Sequence, residues 1–431
     1  MGIKLLQVYF MDYSKAVLRA NQIDTGQMQV RVNATTGARP VENARVRISF
    51  TGQPDSVVEE VTTDSSGQTE VLDLKTPPLE YSLTPSDYQP YSEYTIEVTA
   101  EGYEPIVVSG SEVLPMVQSI QQIDLIPLES LGPQDDTVVI GPHTLYGDYP
   151  PKIPEDEIKP LDESGEIVLS RVVVPEYVIV HDGSVGDSTA SNYYVKYRDY
   201  IKNVASSEIY ATWPEATIYA NVLAIMSFTL NRVYTEWYRN KGYDFTITSS
   251  TAYDHKWING RNTFDTIDFV VDSIFNQYLS RPNVEQPILT QYCDGKRVTC
   301  NEWMSQWGSK YLGDEGYTAI EILRYYYGDN MYINTADEIA GVPSSWPGTN
   351  LTIGSFGDKV RQMQQQLNRI AQSYPSMPTI PVDGVFGEQT ADAVRQFQQI
   401  FGLPQTGVVD FRTWYKISGI YVAVSRIAEL T

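Results

Sequence analysis

Along the first quarter of the chain, apolar and polar residues alternate. Met28, Val30 and Val32, then Val46, Ile48 and Phe50, then Tyr94, Ile96 and Val98 recur at every second position. That is the period of a strand with one buried face. Turn-forming residues separate the runs: Thr36-Gly37-Ala38-Arg39-Pro40, Asp64-Ser65-Ser66-Gly67 and Glu101-Gly102-Tyr103. Short strands with such turns predict a β-sandwich within a β-rich region covering residues 1–128. The pattern then breaks. Residues 129–172 hold Pro150, Pro151, Pro154 and Pro160 among Asp148, Glu155, Asp156, Glu157, Asp162, Glu163 and Glu166. Proline and like-charge repulsion predict an extended, exposed linker there, the best protease target in the chain.

Residues 173–335 read as the largest unit, of mixed α and β character. Its clearest helix is predicted over Trp213–Arg239, with Ile218, Val222, Ile225 and Thr229 on one face and Pro214 in the first turn. Residues 345–431 read as a small helical module. Val360, Met363, Leu367 and Ile370 fall on one helix face, Asp383-Gly384 makes a turn, and Ala393, Val394 and Phe397 continue the pattern. Asp410 is placed to cap a third helix holding Trp414 and Ile417. The fold class expected is multidomain α+β: a sandwich, a mixed α/β domain and a three-helix module.

Charge narrows the function classes. The chain of 431 residues has 54 Asp and Glu against 31 Lys and Arg, a net −23. Such a surface repels nucleic acid, so no nucleic-acid partner is expected. No apolar run approaches the ~20 residues of a transmembrane helix. The start, Met1-Gly2-Ile3-Lys4-Leu5-Leu6-Gln7 running on to Asp12, is not read as a signal peptide. Three histidines, His143, His181 and His255, form no HExxH arrangement, and neither a GxSxG elbow nor a P-loop occurs. Zincin-type hydrolysis and nucleotide chemistry are therefore disfavoured. No cofactor is expected. Cys293 and Cys300 with His255 leave three readings open: a zinc site, a disulfide, or two unpaired thiols. Thirty-one tyrosines suit either stacking on sugar rings or a tyrosine-rich core.

The stretch Ser206-Ser207-Glu208-Ile209-Tyr210-Ala211-Thr212-Trp213-Pro214 sets a lone carboxylate just before the predicted long helix. Apolar and aromatic neighbours raise a carboxyl pKa, as a general acid requires. A glutamate near a helix start also has a simpler reading, stabilisation by the helix dipole.

Resemblance to known families sharpens these readings. Glu208-x-x-x-x-Trp213-Pro214, followed by Ala216, Ala220, Ala224 and Leu230, resembles the first signature of the SpoIID family. Ile209-Tyr210 replaces its Met-Pro, and Met226 lies where an arginine is usual. Met304-Ser305-Gln306-Trp307-Gly308, Gly316-Tyr317 and Glu321-Ile322-Leu323 with Tyr326-Tyr327 are similar to its second signature and last helix. The run from Ile353 to Ile417, through Gly357-Asp358-Lys359-Val360, Val382-Asp383-Gly384-Val385-Phe386-Gly387 and Phe401-Gly402-Leu403, resembles the peptidoglycan-binding domain of wall hydrolases. Gly37–Ser49, Asp64–Gly67 and Val98–Tyr103 loosely resemble the carboxypeptidase-regulatory-like sandwich. The order of units, with Asn231–Tyr238 and Gln291–Gly295, resembles the germination-specific spore-cortex-lytic enzymes of clostridia.

These resemblances imply a lytic transglycosylase acting on spore-cortex peptidoglycan, located in the dormant spore at or near the cortex. Glu208 would be its catalytic acid, and Tyr292, Trp303, Gln306 and Trp307 would contact sugars. Asp254, Asp244 and Glu302 are the candidates for a second carboxylate, should the enzyme hydrolyse instead. A subtilisin-like germination protease would remove an inhibitory pro-region by cutting near Ile167 and Val168. Two other readings stand beside this one: a non-catalytic amidase activator that binds peptidoglycan, and an N-acetylmuramoyl-L-alanine amidase.

Overall fold

The computed structural model describes residues 23–35, 38–128, 137–159, 169–300, 302–343 and 345–425. The expected cut near Ile167 and Val168 lies outside them. The chain is mixed α and β in several units and ends in a helical module. Two five-stranded sheets, among the described residues, are built mainly from the N-terminal region. In one, Asp24–Ala34 pairs in parallel with Gln118–Leu125 and antiparallel with Leu72–Thr76. In the other, Arg45–Phe50 lies between Val57–Thr62 and Ser92–Thr99. The alternating residues meet in one core: Met28, Val30, Val32, Val46, Ile48, Tyr94, Ile96 and Val98 are all buried, with Phe50 packed at its edge.

This region is not independent of the middle of the chain. Thr263–Phe264, far along the sequence, pairs antiparallel with Ile120 and Ser119 and is the fifth strand of the first sheet. Beside that seam Arg261 Nη2 lies 2.8 Å from Glu112 Oε2, both side chains buried. Asn262 bonds the main chain of Glu112 in both directions, at 2.9 and 2.8 Å. Trp213 Nε1 donates to the Ser82 carbonyl at 2.9 Å. The N-terminal β-region and the middle region therefore share a sheet and a buried seam.

The middle region is organised by α1 (Tyr197–Glu208) and α2 (Glu215–Tyr234). Helix α2 is shorter at both ends than the predicted Trp213–Arg239. Pro214 stands just before its first residue, and Glu236, at φ 44°, takes the chain out of helical geometry. The predicted face understates its burial. Thr217, Ala220, Asn221, Leu223, Ala224, Met226 and Ser227 are buried as well, so α2 is the central helix rather than an amphipathic one.

Residues 137–159 correct the expectation of an exposed linker. Thr137–Val139 adds in parallel to the edge of the second sheet. Beyond it His143, Leu145, Lys152 and Lys159 are buried, while Pro150, Pro151 and Pro154 face solvent. The prolines keep this segment extended as expected, but it lies against the middle region instead of in water.

The C-terminal module packs α3 (Asp358–Ala371), α4 (Glu388–Ile400) and α5 (Phe411–Ser425) around Val360, Met363, Leu367, Ile370, Val394, Phe397 and Trp414. Gly384 takes the turn at φ 77°, and Asp410 Oδ1 accepts the Thr413 N–H at 2.8 Å. No helix among the described residues is long and apolar enough to cross a membrane.

Candidate active site

Glu208 is the last residue of α1, not a residue ahead of a helix. Extended Ile209 follows it, and Pro214 keeps Trp213 from helical geometry until α2 begins. The dipole reading is thereby reversed. A helix C-terminus carries partial negative charge and disfavours a carboxylate there. The side chain is 2% exposed. Oε1 accepts the Lys256 main-chain N–H at 2.6 Å, and Oε2 accepts the Tyr292 hydroxyl. Gln306 Nε2 donates to the Glu208 carbonyl at 3.0 Å, fixing the end of the helix. Burial pushes the Glu208 carboxyl above its usual range, against the opposing pull of Lys152, Tyr292 and Lys256.

A pocket opens over this carboxyl. Tyr292, Gln306, Thr251, Cys293 and Arg297 line one side, and Thr144, Gly147, Tyr149 and Lys152 line the other. Behind it His255 is wholly buried, its Nδ1 3.1 Å from the Tyr200 hydroxyl and its ring stacked on Tyr292 at 5.8 Å. Burial and the nearby cations hold its pKa well below the ordinary histidine value, so the imidazole is neutral.

The candidate residues separate. Glu208, Tyr292 and Gln306 meet at the pocket. Trp307 does not reach it; the side chain packs at 5.0 Å against Trp213 and 6.0 Å against Tyr210. Trp303 lines another groove, with Glu302, Arg281, Tyr325 and Tyr326. Asp254, buried, is spent on structure: it accepts from Arg232 Nε at 2.8 Å, the Tyr238 hydroxyl at 2.7 Å and Thr248 N at 2.9 Å. Asp244 is exposed and bonded to Asn192. None of the three candidate carboxylates lines the Glu208 pocket. Cys293 and Cys300 form a disulfide, so their sulfurs are spent on each other and not shared with His255. Among the described residues no group of three or more His, Cys, Asp or Glu is placed to hold a metal ion.

Sequence reasoning missed Lys152, Lys256 and the buried Arg232. Lys152 stands in Pro150-Pro151-Lys152-Ile153-Pro154, where the prolines argued for solvent exposure. Arg232 follows Asn231 in a helix that reads as apolar.

Comparison with known proteins identifies one part of the chain. Residues 356–417 match the peptidoglycan binding domain family. A zinc D-Ala-D-Ala carboxypeptidase of Streptomyces albus G is 40% identical over 74 residues, which is 17% of this chain and 27% of that protein. The chain thus spans about a quarter of the length of that relative. Among solved structures, the SleB N-terminal domain matches at 31% identity, covering 18% of this chain and 99% of that one, with a TM-score of 0.16. The catechol 1,2-dioxygenase of Acinetobacter radioresistens matches at 12% identity over 28% of this chain and 59% of its own, with a TM-score of 0.18. The C-terminal module is accordingly a peptidoglycan-binding domain.

Proposed function

We propose that this protein cleaves the glycan strands of spore-cortex peptidoglycan as a lytic transglycosylase, with Glu208 as its single acid–base group. The supporting observation is a buried carboxyl at a pocket, carried on the same chain as a peptidoglycan-binding domain. A carboxyl whose pKa is raised by burial is the better suited to donate a proton. Glu208 gives its proton to the glycosidic oxygen between N-acetylmuramic acid and N-acetylglucosamine, and the C–O bond breaks. As carboxylate it takes the proton of the muramyl 6-hydroxyl, whose oxygen bonds to C1 and closes a 1,6-anhydro ring. Tyr292 and the Lys256 amide hold the carboxyl in place for both steps.

The chain is proposed to be a zymogen of the kind represented by SleC, which it resembles. Residues 144–152, N-terminal to the proposed cut, form one wall of the Glu208 pocket. A subtilisin-like germination protease cutting near Ile167 and Val168 would free that segment from the residues after it. The test is mass analysis of cortex digests made with intact protein, cut protein and cut Glu208→Gln. Anhydro-muropeptides are expected from the cut protein, with at least about a hundredfold loss in Glu208→Gln. Free stem peptides would point to an amidase. Equal rates for intact and cut protein would remove the zymogen.

A further inference from the structure

Residues 142–159 run past Glu208 as a strap, and their anchors fall on both sides of it. The Thr144 N–H and hydroxyl donate to the Ser207 carbonyl at 2.9 and 3.0 Å. His143 Nε2 lies 3.2 Å from the Ile209 carbonyl, with its ring stacked on Tyr210 at 4.5 Å. Ser207 and Ile209 are the residues immediately before and after Glu208. Arg297 holds the Tyr146 carbonyl at 2.6 Å and the Gly147 carbonyl as well. Downstream, the Ile153 N–H donates to the Ala252 carbonyl at 2.7 Å, and Gln291 bonds Ile153 and Glu155 at 2.7 and 2.9 Å. Pro150 and Pro151 keep the chain extended between these anchors, which fixes where the next side chain enters.

That side chain is Lys152. It is buried, and its Nζ donates to the main-chain carbonyls of Asp254 and Thr251. It lies 4.9 Å over the ring of Tyr292, whose hydroxyl bonds Glu208, and 5.6 Å from that of Phe228. Among the described residues it makes no ion pair with a carboxylate within 4.0 Å, and burial lowers its pKa against the opposing pull of Glu208, Asp254 and Glu155. A buried cation without a paired anion is costly, and stability alone gives no reason to place one here.

Resting on the glycan-cleaving reading, we propose that Lys152 is the inhibitory residue of the strap: it sets its ammonium in the pocket as the counter-charge of Glu208 and leaves when the strap is withdrawn. The strap then does two things. It fills one wall of the pocket, and it favours the carboxylate over the acid that the reaction needs. Other groups also face Glu208: Tyr149 from the strap, Tyr200 from its own helix, Tyr292, and Lys256 from the 254–258 segment. Arg232, behind Lys152, is matched by Asp254 and Glu155. Of these, Lys152 is the cation that proteolysis upstream of Val173 can remove.

The experiment is a carbon-13 NMR titration of glutamate carboxyls in the full-length chain, without substrate. The Glu208 signal is assigned by its loss in Glu208→Gln. In Lys152→Met the Glu208 midpoint is expected to rise by at least about one pH unit, because a cation that favours the carboxylate is gone. Lys152→Arg keeps the charge and is expected to leave the midpoint within a few tenths of a unit. Should Lys152→Met fail to fold, Lys152→Gln retains donors for the two carbonyls and carries the same expectation. An unchanged or lowered midpoint in the folded neutral variant would overturn the proposal. No substrate enters this measurement, so it is separate from the reaction assignment. A shifted midpoint without anhydro products would sink the reaction and keep the counter-charge; anhydro products with an unshifted midpoint would do the reverse.

Discussion

The strap and the C-terminal module are ordered by different physics. In the module, the apolar stripe of α3 meets those of α4 and α5 within one contiguous stretch of chain. Gln364 ties Asp383, Gly384 and Val385 together over some twenty residues. The strap has almost no apolar stripe of its own. It is held by main-chain bonds and charges from residues far along the chain: Glu155 by Arg232, Glu157 by Arg281, Lys159 by Gln286. A contiguous unit carries its fold in its own pattern, whereas a strap takes its conformation from its surroundings. One consequence concerns release. The strap's contacts are many, so once the chain is cut its withdrawal has to break the anchors at Ser207, Ile209, Ala252 and Gln291.

The strongest way to break the comparison is at Arg232. Its fully buried guanidinium joins the strap to the body, with Glu155 at 2.5 and 2.9 Å and Asp254 at 2.8 Å. Arg232→Met leaves Asp254 buried without its cation and frees the strap at Glu155. A loss of about 3–5 kcal/mol in denaturant unfolding is expected, with hydrogen exchange rising first along 153–159. A loss under about 1 kcal/mol would show that the strap is held by its main-chain bonds alone.

Legibility in the sequence divides along the same line. The module's helices, its Asp383-Gly384 turn and its Asp410 cap could be read because each depends on residues within a few positions. The sandwich strands could be read by alternation, but their pairing with Thr263–Phe264 could not, since two residues carry no period. At the site, Glu208 was visible through its apolar neighbours and the family resemblance, and Tyr292 and Gln306 through the resemblance. Trp307 looked equally suited to sugar, yet its neighbours Trp213 and Tyr210 take it into the core. Lys152 gave no local signal at all. Its role depends on Tyr292 and Asp254, more than a hundred residues away, and its proline neighbours pointed to solvent.

A second test sharpens the contrast through pH. Glu112, 1% exposed, faces Arg261 across the seam between the N-terminal sheets and the middle region. Burial raises its carboxyl to about 7 in spite of Arg261. The folded state thus binds this proton more tightly than the unfolded one. Its contribution to stability is full below about pH 4.5 and is lost as pH rises through about 7. Glu112→Gln removes that proton, so the variant's unfolding free energy should lose on the order of 2–3 kcal/mol of fall between pH 4.5 and 8 relative to the wild type. Parallel curves for the two proteins would take Glu112 out of the pH response. The module holds no comparable buried acid seam among its described residues, and its hydrogen-exchange protection should be the same in both.

The smallest effect belongs to the module and tests whether its order is local. Asp410 stands immediately before α5, and its Oδ1 accepts both the Thr413 N–H at 2.8 Å and the Thr413 hydroxyl at 2.7 Å. A first-turn N–H of a helix has no partner within the helix, so the carboxylate supplies one, and its charge suits the positive end of the dipole. Asp410→Ala removes both contributions and should cost about 1 kcal/mol. The loss should be confined to exchange protection in α5 and its contacts with α3, because the cap's other side-chain contact, with Arg412, also lies in the first turn. Helix α5 also meets the body, where the Arg198 guanidinium reaches the Tyr415 carbonyl at 3.2 Å and Phe275 packs on Phe411. If the module depends on that docking as the strap depends on its anchors, loosening the cap will also raise exchange around Phe275 and Arg198. Protection unchanged there, with protection lost in α5, is the expected result and the one that keeps the two regions physically distinct.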